Sequence, residues 1–515
     1  MVAKRLLVNI SVTIISIVTL LGSLEYLSRV RDRFKIEHEL ESLIKDKGVS
    51  DKTFNIYCFG ESTMEGAYYG PSLTIPKLLS YMLDNKIQTK DMCSINIAQG
   101  GRDLEFNLNR LKVILREKNI FRPSLCIIYS GHNEFLKYHE DAGGFHEKRI
   151  FRNGIIDYIN THSSLGQRII YRIAASKVRG YKLEIDERHL FDQPLFERNI
   201  YKKVFELYQD EIMEIVGLSR KYGVPCIIST VAENYADWEP NRSIWYADDS
   251  DKEKYKGLMD RAKEAQDNQI FDKAMGYYLK AISLNENFAE THYRLGKFYE
   301  MQKKYAKAWE EYNKALDYDG MPIRATRQQN DFIRKIQEEK GVFTVDAVDY
   351  LRKNSEHQLI GYNLMIDGHH PNISGYILIS KLIAEKISQV FHEGQQPRTI
   401  TEEEAKKIFN LNNKDFFNVY NDAAVWHIKL ASWRYDPSER LRIAEKYFLN
   451  AMAIDASRYE PYFGIAISSF LRKDTKKAEK YLARARTINP DKVSTRLKES
   501  WLKQVIDRAY KNHNS

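Results

Sequence analysis

Four short apolar runs, each too brief for a buried helix, do most to limit what this chain can become. They are FNIYCFG (54–60), MCSINIAQ (92–99), SLCIIYSG (124–131) and VPCIISTVAE (224–233). Helical patterns separate them, among them 74–86 and 201–223. The second closes at Gly223, just before Val224 and Pro225, a sound helix stop. A fifth run, VFTVDAV (342–348), follows a helical stretch at 329–341 and precedes a closing helix at 376–391. Strand–helix alternation predicts an α/β domain with a parallel, five-stranded sheet and helices on both faces. Ligands of such sheets bind beyond the carboxyl ends of the strands, so residues there come first.

Between the fourth and fifth strands the pattern becomes helical only, and an internal repeat emerges. Ala274, Tyr278 and Ala281 recur 34 residues later as Ala308, Tyr312 and Ala315, and Ala262 matches Gly296. Near the C-terminus Ala444, Phe448 and Ala451 recur at the same spacing as Ala478, Leu482 and Ala485, with Pro490 beyond them. Small residues let antiparallel helices approach closely, and aromatics fill the gap between repeats. The pattern resembles tetratricopeptide repeats; a plain helical hairpin is the alternative. About three repeats are needed for independent stability, so each pair is predicted to lean on the main domain or on extra helices. The expected organisation is a transmembrane anchor at 1–28, a helical stalk at 29–50, a first α/β part at 51–250, inserted repeats at 251–324, a second α/β part at 325–395 and C-terminal repeats at 400–510.

The anchor rests on residues 6–24, nineteen positions without a charge. At about 1.5 Å per residue such a helix nearly spans a hydrocarbon core. A cleaved signal peptide is the rival, but no A-x-A-like site follows. Lys4 and Arg5 precede the run while Arg29, Arg31, Arg33 and Lys35 follow it, so charge alone leaves orientation open; an extracytoplasmic, periplasmic body is the expectation. The net charge of +9 is partly this local excess, and the rest is spread over mixed-charge helices. Nucleic-acid binding would need a clustered basic face, and none is visible. Apolar content of 43 % argues against disorder. Cys58, Cys93, Cys126 and Cys226 show no metal-ligand spacing, and read best as buried free thiols.

The strand ends carry a set of chemically suggestive residues. Ser62 follows the first strand in FGESTMEGAYYG (59–70). A serine that transfers acyl groups needs a base, an orienting acid and oxyanion donors. The second strand ends in NIAQGGRD (96–103), where Gly100 and Gly101 permit close backbone approach; a mere turn is the plain alternative. The third ends in SGHNEF (130–135), where Asn133 either donates to the same oxygen or caps a helix. The fifth is followed by DGHHPNISGY (367–376). Asp367 and His370, three apart in a loop, can pair one imidazole nitrogen with the carboxylate and leave the other for a serine proton. His369 competes for the role of base. A metal reading would use Asp367, His369 and His370 with His132 and Glu134, but adjacent histidines lack the usual zinc spacing. The tyrosines of AYYG (67–70) line an acyl pocket or pack the loop.

In this order and placement the chain resembles the SGNH (GDSL-type) hydrolases, in a bacterial branch with tetratricopeptide insertions. The matches are GES at 60–62, Gly101, Asn133 within GHNE, and DGHHP at 367–371; Glu61 replaces the family's usual Asp. The resemblance implies a three-layer fold and an enzyme without metal or cofactor. It casts Ser62 as nucleophile, His370 as base and Asp367 as its orienting acid, with Ser62, Gly101 and Asn133 forming the oxyanion hole. It implies a membrane-anchored esterase or O-acyltransferase acting on an acylated small molecule, lipid or glycan, with a protein partner recruited by the repeats and no nucleic acid. A scaffold with an inactive hydrolase-like domain is the alternative.

Overall fold

The computed structural model describes residues 30–136 and 198–499, apart from 46, 118–119, 339–340, 392–395 and 432–436, together with 23, 26, 27 and 502. The expected anchor lies almost wholly outside the described residues. Among those described, no helix is long and apolar enough to cross a membrane. The charged stretch after it forms helix α1 over 30–44. This helix buries Leu40 and Ile44 in the same apolar layer as Leu111 and Ile114.

Among the described residues the sheet has six strands, not five: β1 (Phe54–Gly60), β2 (Lys86–Ile87), β3 (Lys90–Asn96), β4 (Leu125–Tyr129), β5 (Cys226–Ser229) and β6 (Val342–Val345). Their order is β2-β3-β1-β4-β5-β6. All neighbours run parallel except the β2–β3 hairpin. The extra strand arises where a helix was expected to run to 86. Helix α3 (Ile75–Met82) stops early because Asp84 and Asn85 take left-handed backbone, which short polar side chains tolerate. Along β1, Ile56 and Cys58 face one helical layer while Tyr57 and Phe59 face the other, the alternation a twice-covered strand requires. Edge strand β6 is protected at Thr344, whose N–H donates to Glu338 (2.8 Å). All four cysteines are free thiols, three of them buried.

Short helix α2 (Ser62–Glu65) follows β1, and α4 (Leu104–Arg116) is capped by Asp103, which accepts from Phe106 N–H. Helix α5 (Arg198–Tyr222) ends at Gly223, where φ is +65°. Between β5 and β6 lie α6 (Lys252–Asp267), α7 (Phe271–Leu284), α8 (Ala289–Met301), α9 (Tyr305–Asp317) and α10 (Arg327–Arg334). The last is shorter than the helical stretch expected over 329–341. Strand β6 also ends sooner than expected, because Asp346 caps α11 (Ala347–Lys353). Helix α12 (Ile373–Phe391) closes the α/β body.

The repeated positions face the helical interiors. Ala274, Tyr278, Ala281, Ala308, Tyr312 and Ala315 are buried. A Cβ on Gly296 would sit 2.6 Å from the Tyr312 ring. Tyr293, Tyr312 and Leu316 share one core with Ile227 and Val345 of the sheet, so the inserted helices are welded to the body. After α13 (Glu402–Ile408), the C-terminal array comprises α14 (Asn413–Ala431), α15 (Ser438–Ile454), α16 (Glu460–Leu471), α17 (Thr475–Ile488) and α18 (Pro490–Leu497). Val419 and Ala423 of α14 belong to the body's core, while Phe448, Phe463 and Ala485 form a separate one.

Candidate active site

Gly60 ends β1 where no side chain fits: a Cβ there would meet the Tyr129 carbonyl at 2.5 Å. That close crossing lets the chain turn into α2 with Ser62 as its first residue. First-turn N–H groups have no partner within a helix, and among the described residues the Ser62 N–H donates to no protein group. The Ser62 hydroxyl stands 2.8 Å from His370 Nε2.

The loop carrying Asp367 and His370 is reached after α11 and a short 3-10 turn, not directly from the fifth expected strand. It is closed at its base by Ile366 N–H on the His370 carbonyl (2.8 Å) and by a bridge between Met365 and Pro371. Asp367 fills this turn. Its Oδ1 accepts the backbone N–H groups of His369 (3.0 Å) and His370 (2.9 Å). Its Oδ2 pairs with His370 Nδ1 (2.6 Å) and accepts the Tyr68 hydroxyl (2.8 Å). Burial alone would raise this carboxyl; His370, His369 and the amides outweigh it and hold Asp367 well below the ordinary carboxylate range.

His369 is turned elsewhere. Its ring lies tilted against His132, with 4.8 Å between centroids and 34° between planes, and Ser62 contacts His370 instead. Burial, then the charge of His370, holds His369 well below its ordinary range, and the same causes bring His132 down to about 3. Asp367, His369 and His370 each offer a ligand atom within 4.8 Å of the others, so a metal could be held there. Against that, both oxygens of Asp367 and both ring nitrogens of His370 already have protein partners. Glu134, the other acid of the metal reading, accepts from Leu104 N–H at the start of α4.

Gly100 lies against Ser62: a Cβ on it would be 3.4 Å from the serine Cβ and 2.7 Å from Glu65 Oε2. Its N–H is taken by that same Glu65 oxygen (2.8 Å). Gly101, at φ +71°, has an N–H without a protein partner among the described residues. Asn133 donates one side-chain N–H to the carbonyl of Arg102 (3.0 Å), which leaves its second N–H for another acceptor. Ser62, Asp367 and His370 are thus in hydrogen-bond contact, Gly100–Gly101 lies beside the serine, and Asn133 is tied to the residue after Gly101. No hydrogen bond joins Asn133 to Ser62 among the described residues.

Sequence reasoning missed the role of Glu61. This buried carboxylate bridges the ends of β1 and β4. It accepts from the Ser130 hydroxyl (2.7 Å) and from the N–H groups of Gly131 (2.7 Å), His132 (3.1 Å) and Asn133 (3.1 Å). Burial pushes its carboxyl up to about 7, against the pull of these donors on the anion. A carboxylate directly after a buried strand was the only signal in the sequence. Asn234 was also unmarked. Its N–H meets the Gly368 carbonyl (2.9 Å) and its side chain meets the Asp367 carbonyl (3.1 Å). Trp238 packs on Gly368, where a Cβ would come within 2.9 Å of the indole. The Arg440 guanidinium of α15 lies 4.1 Å over that indole.

Residues 277–310 match the tetratricopeptide repeat family model. No curated protein matches the chain. Among solved structures, a candidate acylhydrolase from Bacteroides fragilis NCTC 9343 is 11% identical, with 68% of this chain and 93% of that one covered, at a TM-score of 0.26. YrrB, a TPR protein with an unusual peptide-binding site, is 14% identical, with 47% and 90% covered, at a TM-score of 0.14.

Proposed function

We propose that this chain is a serine acyl-ester enzyme of the SGNH type, a hydrolase or an O-acyltransferase. One observation carries the reading: the unbroken relay from the Ser62 hydroxyl through both nitrogens of His370 to Asp367. In the proposed reaction Ser62 attacks an acyl carbonyl while its proton passes to His370 Nε2. Asp367 keeps the other nitrogen protonated and steadies the imidazolium. The N–H groups of Ser62 and Gly101, with the spare N–H of Asn133, receive the oxyanion. The tetrahedral adduct collapses, His370 returns the proton to the leaving alkoxide, and an acyl-Ser62 ester remains. Water or a second hydroxyl then attacks that ester by the same steps.

The acyl group and the acceptor follow the family resemblance: a small acyl group such as acetyl, on a glycan or lipid, is the proposed substrate. The charge-free run at 6–24 supports a membrane anchor with the body outside the cytoplasm. The repeat match at 277–310 supports a protein partner. Turnover of p-nitrophenyl acetate by the full chain, lost in Ser62→Ala, tests the reading. Equal turnover by both chains removes it.

A further inference from the structure

We propose that Tyr68 is a positioning residue of the catalytic relay, acting on His370 through Asp367; the inference rests on the esterase reading above. Tyr68 touches the relay twice. Its hydroxyl donates to Asp367 Oδ2, the oxygen that also holds His370 Nδ1. Its ring meets the His370 imidazole edge to face, at 5.5 Å and 87°.

Tyr68 also holds an uncommon backbone conformation, with φ at +69° between two glycines, Gly66 and Gly70, that are also left-handed. A bulky residue rarely adopts this region without compensation. Gly66 is fixed there because a Cβ would strike the Gly70 carbonyl at 2.5 Å and Thr74 at 2.8 Å. The tight GAYYG loop therefore turns the two tyrosines in different directions. Tyr69 is buried against Tyr376 at 5.9 Å, whereas Tyr68 points at the acid. Strain at a residue that contacts the relay is of the kind found where surrounding structure enforces a functional geometry. Burial, then the negative charge of Asp367, pushes the phenol well above its ordinary range, so it remains a donor.

With Tyr68 in place, each Asp367 oxygen accepts two hydrogen bonds. The carboxylate is then locked in rotation, and Oδ2 can accept the imidazole only along the line that points Nε2 at Ser62. Without the phenol, one lone pair of Oδ2 is freed and the carboxylate can rock away from that line. Among the described residues Ser62, Asp367, Tyr68 and His369 face His370, and Tyr68 touches the acid and the base together from outside their loop.

The test uses the full chain with Tyr68→Phe, Asp367→Asn and both, assayed for kcat and KM on p-nitrophenyl acetate. Tyr68→Phe lowers kcat about tenfold at unchanged KM, and costs less than about twofold more in the Asp367→Asn background. Tyr68→Asn, whose side chain tolerates left-handed backbone, reproduces the kcat loss. Undiminished kcat in both Tyr68 variants, or the full loss repeated on top of Asp367→Asn, overturns the proposal. Failure of the esterase reading shows separately, as a wild-type chain with no ester turnover. Urea midpoints of the same chains then decide: non-additive losses for Tyr68→Phe and Asp367→Asn uphold the contact, and additive ones overturn it.

Discussion

The Tyr447 hydroxyl, in the C-terminal helical array, donates to the carbonyl of Ile366 (2.9 Å), the residue just before Asp367. His427 Nε2 approaches the same oxygen at 3.4 Å. The array is therefore a wall of the candidate site. Removing the hydroxyl in Tyr447→Phe is expected to cost about 1 kcal/mol of stability and to lower turnover several-fold. Tyr462→Phe, far along the array, should leave turnover at its wild-type value. Thermal melts and ester assays on the two variants check this, and equal turnover in both would contradict it.

Glu61 faces four donors, and a glutamine cannot serve them all. In Glu61→Gln the amide group turns N–H towards N–H on one side and strands buried donors, at roughly 1–3 kcal/mol each. Either Gly131 or the pair His132 and Asn133 loses its tether, so a drop in turnover of up to about 10²-fold is expected, the size seen when an oxyanion donor is displaced. Urea denaturation and kcat measure the two effects. A variant with full stability and full turnover would show that the bridge is idle.

Gly464 lies where a Cβ would come within 2.0 Å of the Phe448 ring, and Gly296 faces Tyr312 in the same manner. Gly464→Ala is expected to destabilise by about 1–3 kcal/mol through overpacking. Pairing it with Phe448→Leu should recover part of that loss. Denaturant midpoints of the single and double variants decide, and a neutral Gly464→Ala would contradict the close helix approach.

Burial lowers His427 to about 4 from its ordinary value of 6.5, and Asp367 only partly offsets this. The folded chain then binds fewer protons at this site than the unfolded chain between those values. The stability His427 contributes is full above about pH 6.5 and is lost as pH falls through that window. Relative to His427→Gln, the wild-type chain should lose about 2 kcal/mol of stability between pH 7.5 and 5. Urea titrations at the two pH values check this, and a difference that does not change with pH would contradict it.

Local chemistry accounts for what was legible. Strand–turn–helix punctuation marked Ser62 at the end of β1 and Gly223 at the end of α5, and the 34-residue spacing marked the buried Ala274, Tyr278 and Ala281. The close approach of Asp367 and His370 was readable because both lie in one short loop. The hairpin strand Lys86–Ile87 was missed because Asp84 and Asn85 look helical until their backbone angles are known. Glu61, Tyr68 and Tyr447 were missed for another reason. Their partners lie 69 to 299 residues away in the chain, and no local pattern encodes such a distance.

The relay itself is best tried with a fluorophosphonate probe on the full chain, with the labelled peptide mapped by mass spectrometry. The expected result is one label on Ser62, absent in Ser62→Ala and strongly slowed in His370→Ala, with His369→Ala still labelled. Labelling that persists in Ser62→Ala at another serine, or a wild-type chain that takes no label, would contradict the proposed chemistry.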